Sequence, residues 1–129
     1  MTIETPMETD QAAITSVVLD YYKGWFEGDA ARMERALHPE LCKHSLDRVG
    51  ASGEALKTLT APQMIQWTAE GIGRTRLPAN GDPRIAIDVE DVYDTIANVT
   101  VRSAIYREYI QLVRTDDGWR IANVLWQST

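Results

Sequence analysis

The sequence contains few of the residues that cross-link a chain, bind zinc or cross a membrane. Its 129 residues include one cysteine, Cys42, so no internal disulfide can form, and no Cys and His residues recur at the spacing of a zinc site. No apolar run approaches the ~20 residues of a membrane-spanning helix. Because free cysteine is usually buried, we expect Cys42 to pack inside as a small apolar side chain. Neither a metal nor a cofactor is expected.

Basic residues are also scarce. The chain has 13 Lys and Arg against 19 Asp and Glu, for a net charge of −6. This balance argues against nucleic acid or an anionic membrane as partner, because both attract a basic surface. The segment Met1–Thr9 has no Lys, no Arg and no apolar core, unlike a signal peptide. The composition predicts one cytoplasmic domain over residues 1–129, with a frayed or disordered start at residues 1–9.

The chain does contain a series of long apolar segments towards its end. The short joints at Asp94–Thr95 and Asp116–Gly118 suit tight hairpins. The predicted strands are Arg84–Val92, Thr95–Ile105, Arg107–Arg114 and Trp119–Gln127. Helical patterns dominate the chain before them, and helices followed by strands predict an α+β fold.

Capping signals delimit three predicted helices. Asp10 is the expected N-cap of the first helix, with Thr9 as the alternative, and the helix ends at Gly28. Asp29 caps a second helix that Pro39 stops, and Thr60 opens the third with a capping box.

Between the second and third helices the pattern is weaker. Residues 40–47 alternate weakly and predict a short strand, and residues 48–59 are interpreted as a loop containing glycine and serine. Lys43 is interpreted as a solvated surface cation, together with Arg32, Arg35 and Arg48.

Alternation along the strands assigns side chains to the two faces of the sheet. Tyr106 and Glu108 share one face of the third long strand, the one predicted at Arg107–Arg114, with Ile110 and Leu112. The opposite, outer face also carries apolar side chains, namely Ile105, Tyr109, Val113, Ile121 and Leu125. Because the helices cannot cover both faces, the outer face predicts a homodimer.

Two segments carry a family resemblance. Tyr22–Glu40 (YKGWFEGDAARMERALHPE) and Gly118–Trp126 (GWRIANVLW) resemble the nuclear transport factor 2-like superfamily, and within it the "putative lumazine-binding" branch, near the SnoaL-like polyketide cyclases and ketosteroid isomerases. The resemblance implies a cone-shaped, cystatin-like fold, in which three N-terminal helices pack on a strongly bent, antiparallel-dominated sheet around a pocket. Catalytic members usually place an Asp or a His-Asp pair inside the cone, and here no Asp falls clearly on an inward strand position.

Two titratable residues could carry acid–base chemistry. His44 lies in the first predicted strand, where the resemblance implies that alternate residues point into the cone, and its pKa range suits a general base. The alternative is a half-exposed histidine bonded to the backbone. Glu108 lies among apolar neighbours, where a carboxylate is costly unless it is paired. It could act as an acid or base, or form a structural ion pair with Arg102 or Arg120.

Large side chains from four predicted elements indicate the wall of the pocket. Four Trp and five Tyr against one Phe favour aromatic rings with a polar edge, which suit a flat, partly polar ligand. The predicted ligand-binding residues are Tyr21, Trp25, Met64, Trp67, Tyr106 and Trp126. The alternative is that these side chains only fill the core.

Functions of different classes fit these residues. The first is binding of a small hydrophobic or aromatic molecule in an aromatic-lined cone. The second is a cofactor-free isomerase, cyclase or dehydratase, in which His44 or Glu108 takes a proton from a carbon acid. In that case Tyr21 or Tyr106 would donate a hydrogen bond to the developing enolate oxygen. A third interpretation is a protein-interaction module whose cone is filled by its own side chains.

Overall fold

The structure, a computed structural model, describes residues 6–48 and 54–129. Within these residues, helices pack on one face of a curved six-stranded sheet, and the predicted α+β fold is confirmed. The helices are α1 (Pro6–Glu27), α2 (Ala30–Ala36), α3 (Ala61–Ala69) and the short 3₁₀ helix η1 (Gly73–Arg76). The strands are β1 (Leu37–Arg48), β2 (Glu54–Leu59), β3 (Ala86–Tyr93), β4 (Ile96–Arg102), β5 (Tyr106–Thr115) and β6 (Gly118–Ser128). No helix in the described part of the chain is long and apolar enough to cross a membrane.

The sheet is antiparallel at every junction except one. Its strand order is β2-β1-β6-β5-β4-β3, and only β1 and β6 run parallel. The meander predicted for the end of the chain is present as β3 to β6, with boundaries shifted by one to three residues. The buried apolar side chains lie between this sheet and the helices, and they include Ile14, Val18, Met33, Val101, Ile110 and Ile121.

The prediction for the chain between α2 and α3 was incomplete. Pro39 does not stop α2, which ends at Ala36, and the strand β1 runs straight through Pro39. The predicted loop at residues 48–59 contains β2, which pairs antiparallel with β1. Residues 49–53 of that loop lie outside the described residues. Because β2 is an edge strand with mostly exposed side chains, it lacks the apolar alternation that indicates a buried strand.

Local capping chemistry was predicted well except at the first helix. The Asp29 carboxylate accepts a hydrogen bond from the Arg32 backbone, and Thr60 forms the predicted capping box with Gln63. Asp10 is not an N-cap, because α1 already begins at Pro6. Its carboxylate instead accepts a hydrogen bond from the Trp119 indole at 3.2 Å and so ties α1 to β6.

Bulges interrupt the alternation of the two faces in β3, between Val89 and Asp91, and in β6. Gln111 pairs with Asn123, but the next residue, Leu112, pairs with Ile121, so Ala122 is an extra residue. Ile121 is therefore 0% exposed in the core and not on the outer face as predicted. The same prediction was wrong for Ile105, which lines the cavity between sheet and helices.

Cys42 is exposed, contrary to the prediction that it would be buried. Alternation along β1 turns Leu41, Lys43 and Ser45 towards the helices, and all three are buried. Cys42 consequently points to the other face of the sheet.

Candidate functional site

A cavity of about 210 Å³ opens between the concave face of the sheet and the helices. All the predicted lining residues except His44 reach it. They are Tyr21 and Trp25 from α1, Met64 and Trp67 from α3, Tyr106 and Glu108 from β5, and Trp126 from β6. The face assignments that brought them together rest on helical and strand periodicity, and the structure agrees with those assignments.

His44 lies on the opposite face of the sheet. The parallel register pairs Lys43 with Val124 and His44 with Leu125. Val124 is buried towards the helices and Leu125 is exposed, so Lys43 points inwards and His44 outwards. His44 lines a shallow outer groove that includes Leu125 and Tyr109. The predicted acid–base pair of His44 and Glu108 therefore cannot form.

Glu108 is the centre of a buried polar network at the closed end of the cavity. It is 2% exposed. The Tyr21 hydroxyl donates to its Oε2 at 2.9 Å, and the Tyr22 hydroxyl donates to its Oε1 at 2.5 Å. Lys43 Nζ lies 3.5 Å from Oε2 and also donates a hydrogen bond to the Tyr21 hydroxyl. Both carboxylate oxygens thus have donors, which is what a buried charge requires.

The structural ion pair suspected for Glu108 exists, but its partner differs from the prediction. Arg102 pairs with Asp88 at 2.7 Å on the exposed side of the sheet. Arg120 donates to the Trp119 carbonyl oxygen. Lys43, interpreted from the sequence as a surface cation, is the residue that neutralises Glu108.

Burial sets the protonation states in this network. Desolvation lowers the pKa of Lys43, and the nearby Glu108 charge opposes that change. Burial and the Glu108 charge both raise the pKa values of Tyr21 and Tyr22. The two phenols therefore keep their protons and act as hydrogen-bond donors to the carboxylate.

Aromatic rings form the rest of the wall. Trp25 Nε1 donates to the Tyr106 hydroxyl at 3.2 Å. The rings of Tyr106 and Trp126 meet edge to face with centroids 5.4 Å apart. Lys43 Nζ lies 5.1 Å from the Trp126 ring centroid, within cation–π range. The Trp126 indole nitrogen is buried and, among the described residues, has no hydrogen-bond partner.

Several residues that line the cavity were not predicted from the sequence to do so. Tyr22, Lys43, Lys57 and Arg76 all line the cavity. Alternation places Lys43 on the same strand face as Leu41, but the opposite face carries Leu46, so the sequence did not identify which face is the inner one. Arg76 follows from no local pattern, and the short helix η1 is the element that brings it to the cavity. In the part of the chain that the structure describes, no three His, Cys, Asp or Glu side chains cluster as a metal site would require.

The comparison with protein families agrees with the sequence resemblance. The sequence profile of the family described as "Putative lumazine-binding" matches residues 9–127. The chain belongs to this family. A comparison with curated proteins finds no match.

Solved structures of low sequence identity share the family's fold. An NTF2-like protein of unknown function from Silicibacter pomeroyi aligns with a TM-score of 0.76 and 18% identity, over 97% of this chain and 100% of its own. An NTF2-like protein with a cystatin-like fold from Novosphingobium aromaticivorans gives 0.64 and 16%, over 93% and 82%. A putative scytalone dehydratase from the same organism gives 0.61 and 18%, over 95% and 86%. At these identities the similarity shows the cone-shaped, cystatin-like fold alone.

Proposed function

We propose that the cavity binds a small, flat ring compound that carries a hydrogen-bond-accepting oxygen. The observation that supports this most is the position of Lys43, a buried cation, at the closed end of an aromatic-walled cavity. Its ammonium group has three N–H donors. Tyr21 accepts one, and Glu108 faces the group at 3.5 Å, which leaves donor capacity beside the cavity. A carbonyl or enolate oxygen of a ligand would use that capacity.

The size of the cavity limits the ligand. Its volume of about 210 Å³ is below the roughly 300–1,000 Å³ typical of sites for drug-sized molecules. The aromatic rings of Trp25, Tyr106 and Trp126 in its wall offer surfaces against which a flat bicyclic molecule can pack. Lumazine, a bicyclic dione, has the shape and the oxygen acceptors that this site requires, and the description of the family makes it the natural first probe.

A cofactor-free isomerase, cyclase or dehydratase is the second candidate. A buried carboxylate beside two phenols and an ammonium group favours it, because such a set can move a proton and stabilise an enolate. With His44 on the outer face, Glu108 would take the proton and Tyr21 would hydrogen-bond the oxygen. Glu108 would first have to exchange a tyrosine partner for the substrate. Binding alone makes no such demand, so we place it first.

The test of binding is a titration of tryptophan fluorescence with lumazine, because three of the four tryptophans line the cavity. We expect saturable quenching, and Lys43→Met should weaken binding by about tenfold or more, as for loss of a hydrogen bond to a charged group. Trp67→Ala, at the half-buried edge of the cavity, should weaken binding without removing a buried charge.

His44→Ala is the matched control on the other face of the sheet, and it should leave the affinity unchanged. Circular dichroism verifies the fold of each variant. Equal affinities for Lys43→Met, Trp67→Ala and the wild type would refute the proposed site.

Two other predictions of the sequence, a homodimer through the outer sheet face and a cytoplasmic location, stay predictions.

A further inference from the structure

The charges that line the cavity are unbalanced. Lys43, Lys57 and Arg76 are cationic, and Glu108 is the only anionic lining residue in the described part of the chain. Lys43 neutralises Glu108. Two positive charges are left over in a protein whose net charge is −6.

Both surplus cations lie at the open end of the cavity. Lys57 and Arg76 are exposed, whereas Lys43 and Glu108 are buried. Lys57 Nζ lies 5.4 Å from the centroid of the Trp67 ring. Burial raises the pKa of the Tyr106 phenol and the Arg76 charge acts against that rise, so the guanidinium is within electrostatic reach of the cavity wall. The open end of the cavity, here called its mouth and formed by Lys57, Trp67 and Arg76, therefore combines positive charge with aromatic surface.

Most other arginines with side-chain contacts have carboxylate partners. Arg32 and Arg35 share Asp20, and Arg102 pairs with Asp88. Neither Lys57 nor Arg76 has a carboxylate within 4.0 Å among the described residues. A cleft lined by one sign of charge attracts ions of the opposite sign and raises their local concentration.

We propose that the ligand of this cavity is an anion, a ring compound with a carboxylate that lies between Lys57 and Arg76 while its ring packs against Trp67. The inference deepens the proposed binding function and rests on it. A guanidinium matches the planar carboxylate with two parallel N–H donors, and Lys57 supplies a second charge. The two cations would then select carboxylates from among flat molecules of similar size.

The experiment compares two probes of nearly identical shape, 2-naphthoate and its neutral amide, 2-naphthamide. Isothermal titration calorimetry of the wild type should show that the acid binds about tenfold or more tightly than the amide, because the contacts of the carboxylate with cations are charge-assisted. In the double variant Lys57→Met/Arg76→Met the ratio of the affinity for the acid to that for the amide should fall close to one. Arg107→Met removes one charge from the exposed outer side of β5 and should leave the preference unchanged.

The possible results test the proposed carboxylate site and the proposed binding function separately. Equal affinity of the wild type for acid and amide would overturn the inference and leave the binding function standing. A preference for the acid that survives in the double variant would overturn the assignment to Lys57 and Arg76. Binding of neither compound would count against both proposals. Both substituted residues are exposed, so the double variant should fold like the wild type, and urea unfolding verifies this.

Discussion

At the scale of single residues, the buried pair of Lys43 and Glu108 is the most unusual feature of the chain. Taking both charges out of water costs several kcal/mol, and their attraction repays that cost only with good additional hydrogen bonds. Tyr21 and Tyr22 supply those bonds. An apolar pair could fill the same space at less cost, and the proposed ligand gives the retained charges a role.

The pair makes a clear prediction for stability. Lys43→Met should lower the free energy of unfolding by about 3–5 kcal/mol, because it leaves the Glu108 carboxylate buried without its cation. The double variant Lys43→Met/Glu108→Gln removes both charges and should be more stable than Lys43→Met alone. Urea denaturation of the wild type, both single variants and the double variant measures the coupling. Strictly additive effects would mean that the two charges do not interact.

Only part of the site could be predicted at this scale. The inward direction of Glu108 follows from its neighbours Ile110 and Leu112, which mark one face of β5 clearly. In β1 each face carries a leucine, Leu41 or Leu46, so alternation alone does not identify the inner face. The family resemblance favoured His44 as the inward residue, and a shift of one residue reverses the direction of every side chain.

At the scale of elements, η1 is the connection that carries Arg76 to the cavity. It packs so closely on α1 that a methyl group at Gly73 would lie 2.1 Å from the Trp25 carbonyl oxygen. Gly73 is buried in that contact. The position of Arg76 at the cavity therefore depends on Gly73, a residue that does not itself line the cavity.

We predict that Gly73→Ala destabilises the protein by about 1–3 kcal/mol, as overpacking in a close contact does. Because η1 must shift away from α1, binding at the mouth should also weaken. Thr75→Ser, in the same helix, keeps the hydroxyl that donates to the Ile72 carbonyl oxygen and serves as control. Thermal unfolding and titration of both variants provide the measurement. Wild-type stability for Gly73→Ala would show that the contact is looser than described.

Elements with strong local signals were predicted, and elements held by their neighbours were not. The hairpin strands β3 to β6 and the caps at Asp29 and Thr60 carry their signals in a few adjacent residues. Strand β2 lies at the edge of the sheet, where it pairs with β1, and its Leu56 is exposed. Its conformation therefore depends on the pairing with β1, which no pattern within Glu54–Leu59 indicates. The bulge at Ala122 arises from the pairing of β5 with β6 and has no sequence signal of its own.

At the scale of the whole molecule, the outer face of the sheet is rich in exposed apolar side chains. Leu46 and Leu56 are each 58% exposed, and Tyr109 and Leu125 are each 53% exposed. This patch replaces the one predicted from sequence, which wrongly included Ile105 and Ile121. Contiguous apolar surface on a folded protein commonly marks an interface.

We therefore predict a homodimer through this face, with an interface of more than about 1,000 Å² in total. Light scattering should give twice the 14.5 kDa chain mass. Tyr109→Lys should shift the protein towards the monomer while the cavity stays intact, and Lys23→Glu on the exposed side of α1 should have no effect. A monomer at high concentration would contradict the prediction.

The family and the cone could be predicted because two distinctive segments, Tyr22–Glu40 and Gly118–Trp126, carry the family pattern, and the family profile extends over residues 9–127. The ligand could not, because one fold supports many unrelated sites and the deciding residues come from distant segments. One cavity wall brings together Lys43, Lys57 and Arg76 only once β1, β2 and η1 have packed around it.

Binding of a small ring compound in the aromatic cavity, with Lys43 and Glu108 at its closed end, can be observed directly in a crystal structure of the protein with lumazine. We expect a flat ring inside the cavity, with an oxygen atom within about 3.2 Å of Lys43 Nζ, as in a direct hydrogen bond. A compound bound in the outer groove beside His44, with the cavity filled by protein side chains, would contradict this expectation.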